Sequence, residues 1–375
     1  MNGETGGYFL YHSIGLYPGK DRDMAAALAE FSSIWGAPDD GQWSRVLTLR
    51  AQFIALWESL IAAPAGSLTT APSVTAGLHN VIGALPADRL RGRRVLVAAD
   101  CFPSLHFLLA GMAERRGFTL DTVPPRPGEA WVRDEDVAAQ IGPDVALTLL
   151  TLVTSTASHH CDLGALAGAC RHAGSLVAVD LTQGVGIVPF SVGDQRPDIV
   201  VSTSLKWLCG APGAGILHVK PDLLAECRPE LRGWFSQPDP FSWALDSFAY
   251  APDARRFDAG TPAPVAEIAS IPALRWHDAQ DAGALLRHNQ ALCEEIIDAL
   301  PRLGLALASP RVSDRRGGSV MLRLPGGADA ARVVAGLRAE GLYTDARGPI
   351  LRLSPGAVTT REHVALLLGA LPRLL

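Results

Sequence analysis

The chain has 375 residues, of which 48% are hydrophobic and 19% are charged, and its formal net charge is −5. This length is sufficient for a large buried core and predicts two domains. No basic run is present that could follow a phosphate backbone, which argues against a nucleic-acid partner. The N-terminus lacks the features of a signal peptide, and the apolar stretches are too short to cross a bilayer, so we expect a cytoplasmic protein without a membrane partner.

The cysteine pattern fits the same location. Six cysteines are scattered along the chain without a CxxC pair, a usage typical of a reducing compartment rather than a disulfide framework or a zinc site. The run His159-His160-Cys161 looks superficially like a set of metal ligands. Adjacent side chains diverge, however, and no second ligand cluster follows at a suitable spacing. We therefore predict a loop there and no metal.

Residues 1–44 are predicted to form an N-terminal arm. They contain a short extended piece at Tyr8–Tyr11 and a helix from about Arg22 to Trp35, although a solvated leader would look the same. A second helix is predicted from about Val46 to Ala62, because its apolar residues recur at helical spacing.

A further helix is predicted to start within the segment Pro72–His79. The unpaired backbone N–H groups and the dipole of a helix start favour an anion, so Val74 and Thr75 could belong to a phosphate site. A plain Ser/Thr N-cap is the alternative.

Four apolar runs bounded by polar residues and glycine predict buried strands of an α/β sheet. They are Arg94–Asp100, Val145–Val153, Ser175–Val179 and Ile199–Val201. Functional residues of such sheets lie just beyond the strand ends, which would place Asp180 and Lys206 on one edge. A lysine and a carboxylate there suit pyridoxal phosphate (PLP), since the lysine can hold its aldehyde and the aspartate can keep its pyridine nitrogen protonated. A surface lysine and a helix-capping aspartate are the alternative for either residue alone.

The combined pattern resembles the class V aminotransferase group of fold-type I PLP enzymes, which includes kynureninases and cysteine desulfurases. The motifs that carry the resemblance are Asp180-x-x-Gln183, Ser204-x-Lys206-Trp207 and Gly210-x-Pro-Gly213. Three downstream motifs are most similar to kynureninase: Gly233-Trp-Phe235, Arg256-Phe257 and Gly260-Thr-Pro262. The resemblance covers nearly the whole chain, from Tyr11 to Pro355.

The resemblance implies an α/β fold with a large, mostly parallel, seven-stranded sheet and a smaller α+β C-terminal domain. The arm, residues 1–44, would join the small domain, the large PLP-binding domain would span 45–262, and the small domain would span 263–375. The patterns of the small domain predict two helices, at Leu285–Leu300 and Ala328–Glu340, and two strands, at Gly318–Leu324 and Ile350–Leu353.

The resemblance also implies site residues and a homodimer with shared active sites. Lys206 and Asp180 would be catalytic, and Arg352 would bind the α-carboxylate of an amino-acid substrate, for which a guanidinium fork is well suited. The implied cofactor-binding residues are Val74, Thr75, Phe102, Asp180, Gln183, Ser204, Lys206, Trp234 and Thr261. Phe102 would stack on the pyridine ring and Gln183 would donate to its phenolate oxygen, while Trp234 and Thr261 would reach the phosphate of the other protomer. Arg347 is a weaker second candidate for the carboxylate.

The chain departs from kynureninases at three positions. Leu205 stands where they have a tyrosine before the lysine, Leu105 where they have an aspartate, and Gln183 where they have a histidine. The predicted function is a PLP-dependent, kynureninase-like hydrolase or lyase that cleaves an amino acid at the β-carbon. A β-eliminating C–S lyase, an aminotransferase and a non-catalytic PLP-binding protein remain open. A cysteine desulfurase is disfavoured, because the segment Ser309–Gly318 lacks the cysteine that would take the sulfur.

Overall fold

The structure is a computed structural model, and it describes residues 6–375. The first five residues of the predicted arm lie outside this range. The principal sheet has seven strands in the order β1-β7-β6-β5-β4-β2-β3. The strands are β1 (Leu68–Ala71), β2 (Arg94–Ala98), β3 (Thr119–Val123), β4 (Val145–Thr151), β5 (Leu176–Asp180), β6 (Ile199–Thr203) and β7 (Gly215–Val219).

The sheet is parallel except at β7, which runs antiparallel to both β1 and β6. Its central strands are covered on both faces. In β4, Leu150 joins one apolar cluster, while Leu147 and Leu149 join the other. A strand buried on both faces has a continuous apolar sequence rather than an alternating one, and this explains the uninterrupted run that predicted β4.

Thirteen α-helices accompany the two sheets of the described chain. The first nine, in chain order, are α1 (Lys20–Trp35), α2 (Gln42–Leu60), α3 (Val74–Ala84), α4 (Ala87–Leu90), α5 (Pro103–Arg116), α6 (Asp134–Gln140), α7 (Leu163–Ala173), α8 (Val192–Gln195) and α9 (Pro221–Glu226). The remaining helices are α10 (Val265–Asp278), α11 (Ala284–Leu303), α12 (Ala330–Ala339) and α13 (Arg361–Leu374).

A second, antiparallel sheet has four strands in the order β10-β11-β9-β8. Its strands are β8 (Ala306–Leu307), β9 (Val320–Arg323), β10 (Asp345–Arg347) and β11 (Ile350–Leu353). The N-terminal arm is attached to this sheet, since Tyr8 bridges to Tyr343 and Leu10 bridges to Ser354. Helix α1 of the same arm packs against α2 and α10. The arm therefore contacts both parts of the chain.

The predicted fold class is confirmed, including the seven-stranded, mostly parallel sheet and the smaller mixed C-terminal part. The domain limits at residues 44 and 262 stay a prediction. Within residues 6–375, no helix combines the length and the apolar character that a membrane span requires.

Candidate active site

The candidate site is a cavity of about 310 Å³ beyond the carboxyl ends of β4, β5 and β6. It brings together six of the nine residues that the sequence proposed for cofactor binding. These are Val74, Thr75, Phe102, Asp180, Gln183 and Lys206. Parallel strands end on the same edge of a sheet, so residues far apart in sequence meet there.

Lys206 follows β6, and its side chain lies at the cavity. The other lysines of the chain are Lys20 and Lys220. Lys20 donates to the Gly15 carbonyl oxygen at 2.7 Å, and Lys220 lies 3.7 Å from Asp198. Burial lowers the pKa of Lys206 to about 8, with the charge of Asp180 opposing the shift and that of Arg352 adding to it. A lysine with this pKa is partly in the neutral, nucleophilic form near neutral pH.

Asp180 is the last residue of β5, and its carboxylate is buried. The Thr182 backbone N–H donates to its Oδ1 at 2.9 Å. Burial raises the pKa of Asp180, whereas Thr182 and Lys206 oppose that shift. A buried carboxylate with few partners suits a cationic ring N–H, because that contact would replace the lost hydration.

Phe102 stands immediately before α5 and is 45% exposed, on the wall of the cavity. The Lys206 Nζ atom lies 5.4 Å from its ring centroid. An exposed aromatic face beside the lysine is where a planar ring attached to that lysine could stack.

The first turn of α3 supplies the polar end of the cavity. The Ser73 hydroxyl accepts from Ala76 N at 3.1 Å and caps the helix, while Thr75 also faces the cavity. The N-cap formed by Ser73 is therefore compatible with an anion bound at the same turn, since the other N–H groups of the turn have no helical acceptor.

Gln183 lies on the cavity wall, and its Nε2 donates to the His12 backbone carbonyl at 3.0 Å. This contact orients the side-chain amide and ties the arm to the site. One N–H of the amide remains for another acceptor.

The other four predicted residues do not line this cavity in the single chain. Ser204 is buried, where its hydroxyl donates to the Ala214 carbonyl at 2.8 Å. Trp234 packs edge-on against Trp43, Phe235 and Phe241, and Thr261 is exposed. Arg352 is buried and ion-paired with Asp345.

Several hydroxyl groups of the cavity were not predicted. They belong to Ser73, Ser104, Thr151, Ser155, Thr182 and Thr203. Thr151 and Thr203 are the last residues of β4 and β6, and strand ends converge on the site. The predicted strands ended at Val153 and Val201 instead, so neither threonine was placed at a strand end. The buried Thr151 Oγ1 has no hydrogen-bond partner among the described residues. An unpaired buried hydroxyl, a buried carboxylate, a lysine and a helix start together fit a phosphorylated pyridine aldehyde.

The two leucines that replace polar residues lie in different places. Leu205 lines the cavity. Leu105, in the first turn of α5, is fully buried in an apolar cluster. Leu205 therefore removes a polar group from the cavity wall, whereas Leu105 belongs to the core.

Comparison with known proteins agrees with this geometry. Residues 68–349 match the family "Aminotransferase class-V". The kynureninase of Deinococcus radiodurans is 31% identical over 364 residues, which cover 92% of this chain and 84% of the relative.

Two solved structures show the same fold. The cysteine desulfurase of Thermococcus onnurineus NA1 superposes with a TM-score of 0.87 at 18% identity, covering 98% of this chain and 94% of its own. The cystine C–S lyase C-DES, which is 20% identical, gives 0.87 and covers 98% of both chains. Another structure of C-DES holds glycine covalently linked to its PLP cofactor. The chain belongs to the class V aminotransferase family, a group of fold-type I PLP enzymes.

Proposed function

We propose that this protein is a PLP-dependent enzyme that cleaves an amino acid at its β-carbon, in the manner of a kynureninase-like hydrolase or lyase. The observation that carries the proposal is the meeting of Lys206, Asp180, Phe102 and Gln183 around one cavity with the start of α3 at its polar end. Bound PLP supplies an electron sink that supports bond cleavage next to the α-carbon. All other steps depend on residues of the chain.

In this proposal Lys206 first holds the cofactor and then, once released by the substrate amine, moves the α-proton. Its lowered pKa suits both tasks, because the side chain can exchange a proton near neutral pH. Asp180 keeps the pyridine nitrogen protonated, Phe102 covers one face of the ring, and Gln183 donates to its phenolate oxygen. Val74 and Thr75 hold the phosphate through the N–H groups of the first turn of α3.

Arg352 binds the α-carboxylate in this proposal. It is buried and belongs to β11, whose residues pair with β9 and β10. The positive charge of Arg352 helps to lower the pKa of Lys206. A carboxylate held by a fixed guanidinium would set the orientation of the substrate relative to the ring. Arg347, the weaker candidate, is exposed on β10.

The cleaved side chain is proposed to differ from that of kynurenine. Hydrolysis of a γ-carbonyl needs a proton donor near that group, and Leu205 supplies none on the cavity wall. A desulfurase-type reaction lacks its nucleophile, since all six cysteines are buried and burial raises the pKa of each thiol. A β-eliminating C–S lyase needs no such thiol and is the second candidate, favoured by the structural likeness to C-DES.

We also propose a homodimer in which the partner completes the phosphate site through Trp234 and Thr261. The support is their position, since Thr261 is exposed and Trp234 lies away from the cavity of its own chain. Nearby residues Phe241, Trp243 and Leu245 expose large apolar side chains, as expected of a surface that another subunit covers. A cytoplasmic location would match the reduced state of the buried cysteines.

The reaction can be tested with a panel of β-substituted amino acids, including kynurenine, 3-hydroxykynurenine and cystine. The products to measure are alanine, pyruvate, ammonia, sulfide and anthranilate. We expect kynurenine to change the visible spectrum of the protein but to turn over orders of magnitude below the 1–10³ s⁻¹ typical of enzymes. Another member of the panel should react faster. Rapid release of anthranilate would overturn the proposed side-chain preference and assign kynureninase activity instead.

A further inference from the structure

A network of polar contacts links the N-terminal arm to Arg352 through His12. The His12 side chain is buried, with its Nδ1 at 2.6 Å from Ser354 Oγ and its Nε2 at 3.0 Å from Asp345 Oδ1. Its backbone carbonyl accepts the hydrogen bond from Gln183 on the cavity wall. His12 therefore links Gln183 of the cavity wall to Asp345 of β10 and to Ser354, although it does not itself line the cavity.

Asp345 connects His12 to Arg352. The two residues face each other across the β10–β11 pair. Arg352 donates from Nε to Asp345 Oδ1 at 2.8 Å and from Nη2 to Oδ2. This contact occupies one edge of the guanidinium. In the part of the chain that the structure describes, Nη1 donates to no protein group, so the other edge of the fork stays open.

The charges of this network are fixed by its surroundings. Burial lowers the pKa of His12, and the positive charges of Arg352 and Lys206 also disfavour its protonation, against an opposing contribution from Asp345. The contacts with His12 and Arg352 hold the pKa of Asp345 well below its usual range, although burial acts in the other direction. The group consists of a neutral imidazole and a carboxylate–guanidinium pair.

The hydroxyl groups allow one consistent direction of hydrogen bonding. Ser319 Oγ lies 2.6 Å from Ser354 Oγ. If Ser319 donates to Ser354 and Ser354 donates to His12 Nδ1, then the His12 proton is on Nε2, which lies 3.0 Å from Asp345 Oδ1 without an aligned hydrogen bond. That tautomer places the N–H of the imidazole beside the carboxylate, where a small rotation would let it donate, in the way that an outer partner fixes a histidine or carboxylate in many sites.

We propose that Asp345 and His12 are positioning residues for the substrate carboxylate. Asp345 holds one edge of Arg352 so that the Nη1 edge is presented to the carboxylate, and His12 holds Asp345 in turn. Through Gln183, the same histidine sets the distance between the carboxylate site and the cofactor ring. This inference rests on the proposed function, in which Arg352 binds an amino-acid carboxylate.

The test measures binding rather than turnover. The protein loaded with PLP is titrated with L-alanine and with ethylamine, which is the same amine without the carboxylate, and the change in visible absorption gives the half-saturating concentration of each. The variants are Asp345→Asn, His12→Gln and His12→Asn. Asp298→Asn is the matched control, because it removes the carboxylate of an exposed aspartate–arginine pair in the same part of the chain.

We expect Asp345→Asn to weaken alanine binding roughly tenfold or more, as the loss of a charged hydrogen-bond partner would do, and to leave ethylamine unchanged. A glutamine at position 12 can still donate from near the former Nε2, whereas an asparagine cannot reach Asp345. His12→Gln should therefore retain most of the preference for alanine, and His12→Asn should lose it. The control should match the unmodified protein in both titrations.

Three results would overturn the inference. Equal weakening of both amines would mean that the network only supports the fold, and tighter alanine binding by Asp345→Asn would mean that Asp345 competes with the substrate. Equal behaviour of the two His12 variants would exclude the donor role of Nε2, a comparison that holds even if Asp345→Asn does not fold. An unmodified protein that shows no spectral change with either amine would instead overturn the proposed function, and this inference with it.

Discussion

The chemistry of the proposed site depends on the opposing effects of burial and charge at Lys206. Burial disfavours its ammonium form, while the carboxylate of Asp180 favours it, and the result is a pKa of about 8. Only the neutral amine attacks an aldehyde, so a lowered pKa makes the reactive form available at lower pH. In the proposed function the same two residues would serve attachment of the cofactor and later proton transfer.

This balance predicts the pH dependence of PLP attachment to the protein after its cofactor has been removed. The rate of appearance of visible absorption should rise with pH and level off above about 8. Asp180→Asn removes the charge that raises the pKa of Lys206, so the midpoint should move to lower pH by roughly one unit. The exposed Asp194 provides a control, and Asp194→Asn should leave the midpoint in place. A midpoint that stays fixed or rises in Asp180→Asn would contradict this account.

Residue types and strand ends predicted several residues that meet at the cavity of the candidate site, but not those around it. Asp180 and Lys206 could be identified because each follows an apolar run, and Gln183 because its spacing from Asp180 is local. Asp345 was not predicted, since its proposed role comes from contacts with His12 and Arg352 that no local pattern encodes. The hydroxyl of Thr151 was missed because the predicted strand continued to Val153, which placed Thr151 within it rather than at its end.

At the scale of elements, the N-terminal arm is more closely attached to the lysine segment than its sequence indicated. The Gly15 N–H donates to the Leu205 carbonyl at 3.0 Å, and Tyr11 stacks on Trp207 with ring centroids 5.6 Å apart. The sequence left an arm or a solvated leader open, because these contacts join residues almost two hundred positions apart. Strands β2, β4, β5, β6, β9 and β11 and helices α1, α2, α11 and α12 were predicted to within a few residues. Strands β1, β3, β7, β8 and β10 and helices α5 and α13 were not predicted.

The approach of the arm to Lys206 depends on a glycine. A Cβ atom at Gly15 would lie 1.9 Å from the Lys206 carbonyl oxygen, which is a backbone atom that cannot swing away. Gly15→Ala should therefore displace the arm, lower the free energy of unfolding by about 1–3 kcal/mol and speed the loss of PLP. Thermal unfolding and the rate of decay of visible absorption on dilution measure the two effects.

The control for this prediction is Gly111→Ala in α5. A Cβ there meets no atom within 4 Å, and alanine favours a helix interior, so stability should be equal or higher. If Gly15→Ala matches the unmodified protein in both stability and PLP retention, then the contact between the arm and the lysine segment contributes neither to stability nor to cofactor binding.

At the scale of the whole molecule, the proposed dimer predicts complementation between two defective chains. Lys206→Ala removes the attachment point, and Thr261→Ala should weaken the phosphate site of the partner. When both chains are produced together, a mixed dimer contains one site with neither lesion. Random pairing should then restore roughly a quarter of the native sites. PLP content per chain and sedimentation at micromolar concentration are the measurements.

Lys206→Ala combined with Phe102→Ala is the matched control, because both residues line the cavity of one chain. Each site of that mixed dimer carries one lesion, so no native site should form. Equal PLP content in the two mixtures, or a monomer that still binds PLP, would contradict a shared active site.

The central claim is that Lys206 carries the cofactor, and the small number of lysines makes it directly testable. The protein loaded with PLP is reduced with borohydride, digested and mapped by mass spectrometry at Lys20, Lys206 and Lys220. The account predicts a yellow protein whose reduced cofactor is attached to Lys206 and is absent in Lys206→Ala, while the double variant Lys20→Gln, Lys220→Gln retains it. A colourless protein after incubation with PLP, or a cofactor attached to Lys20 or Lys220, would contradict the account.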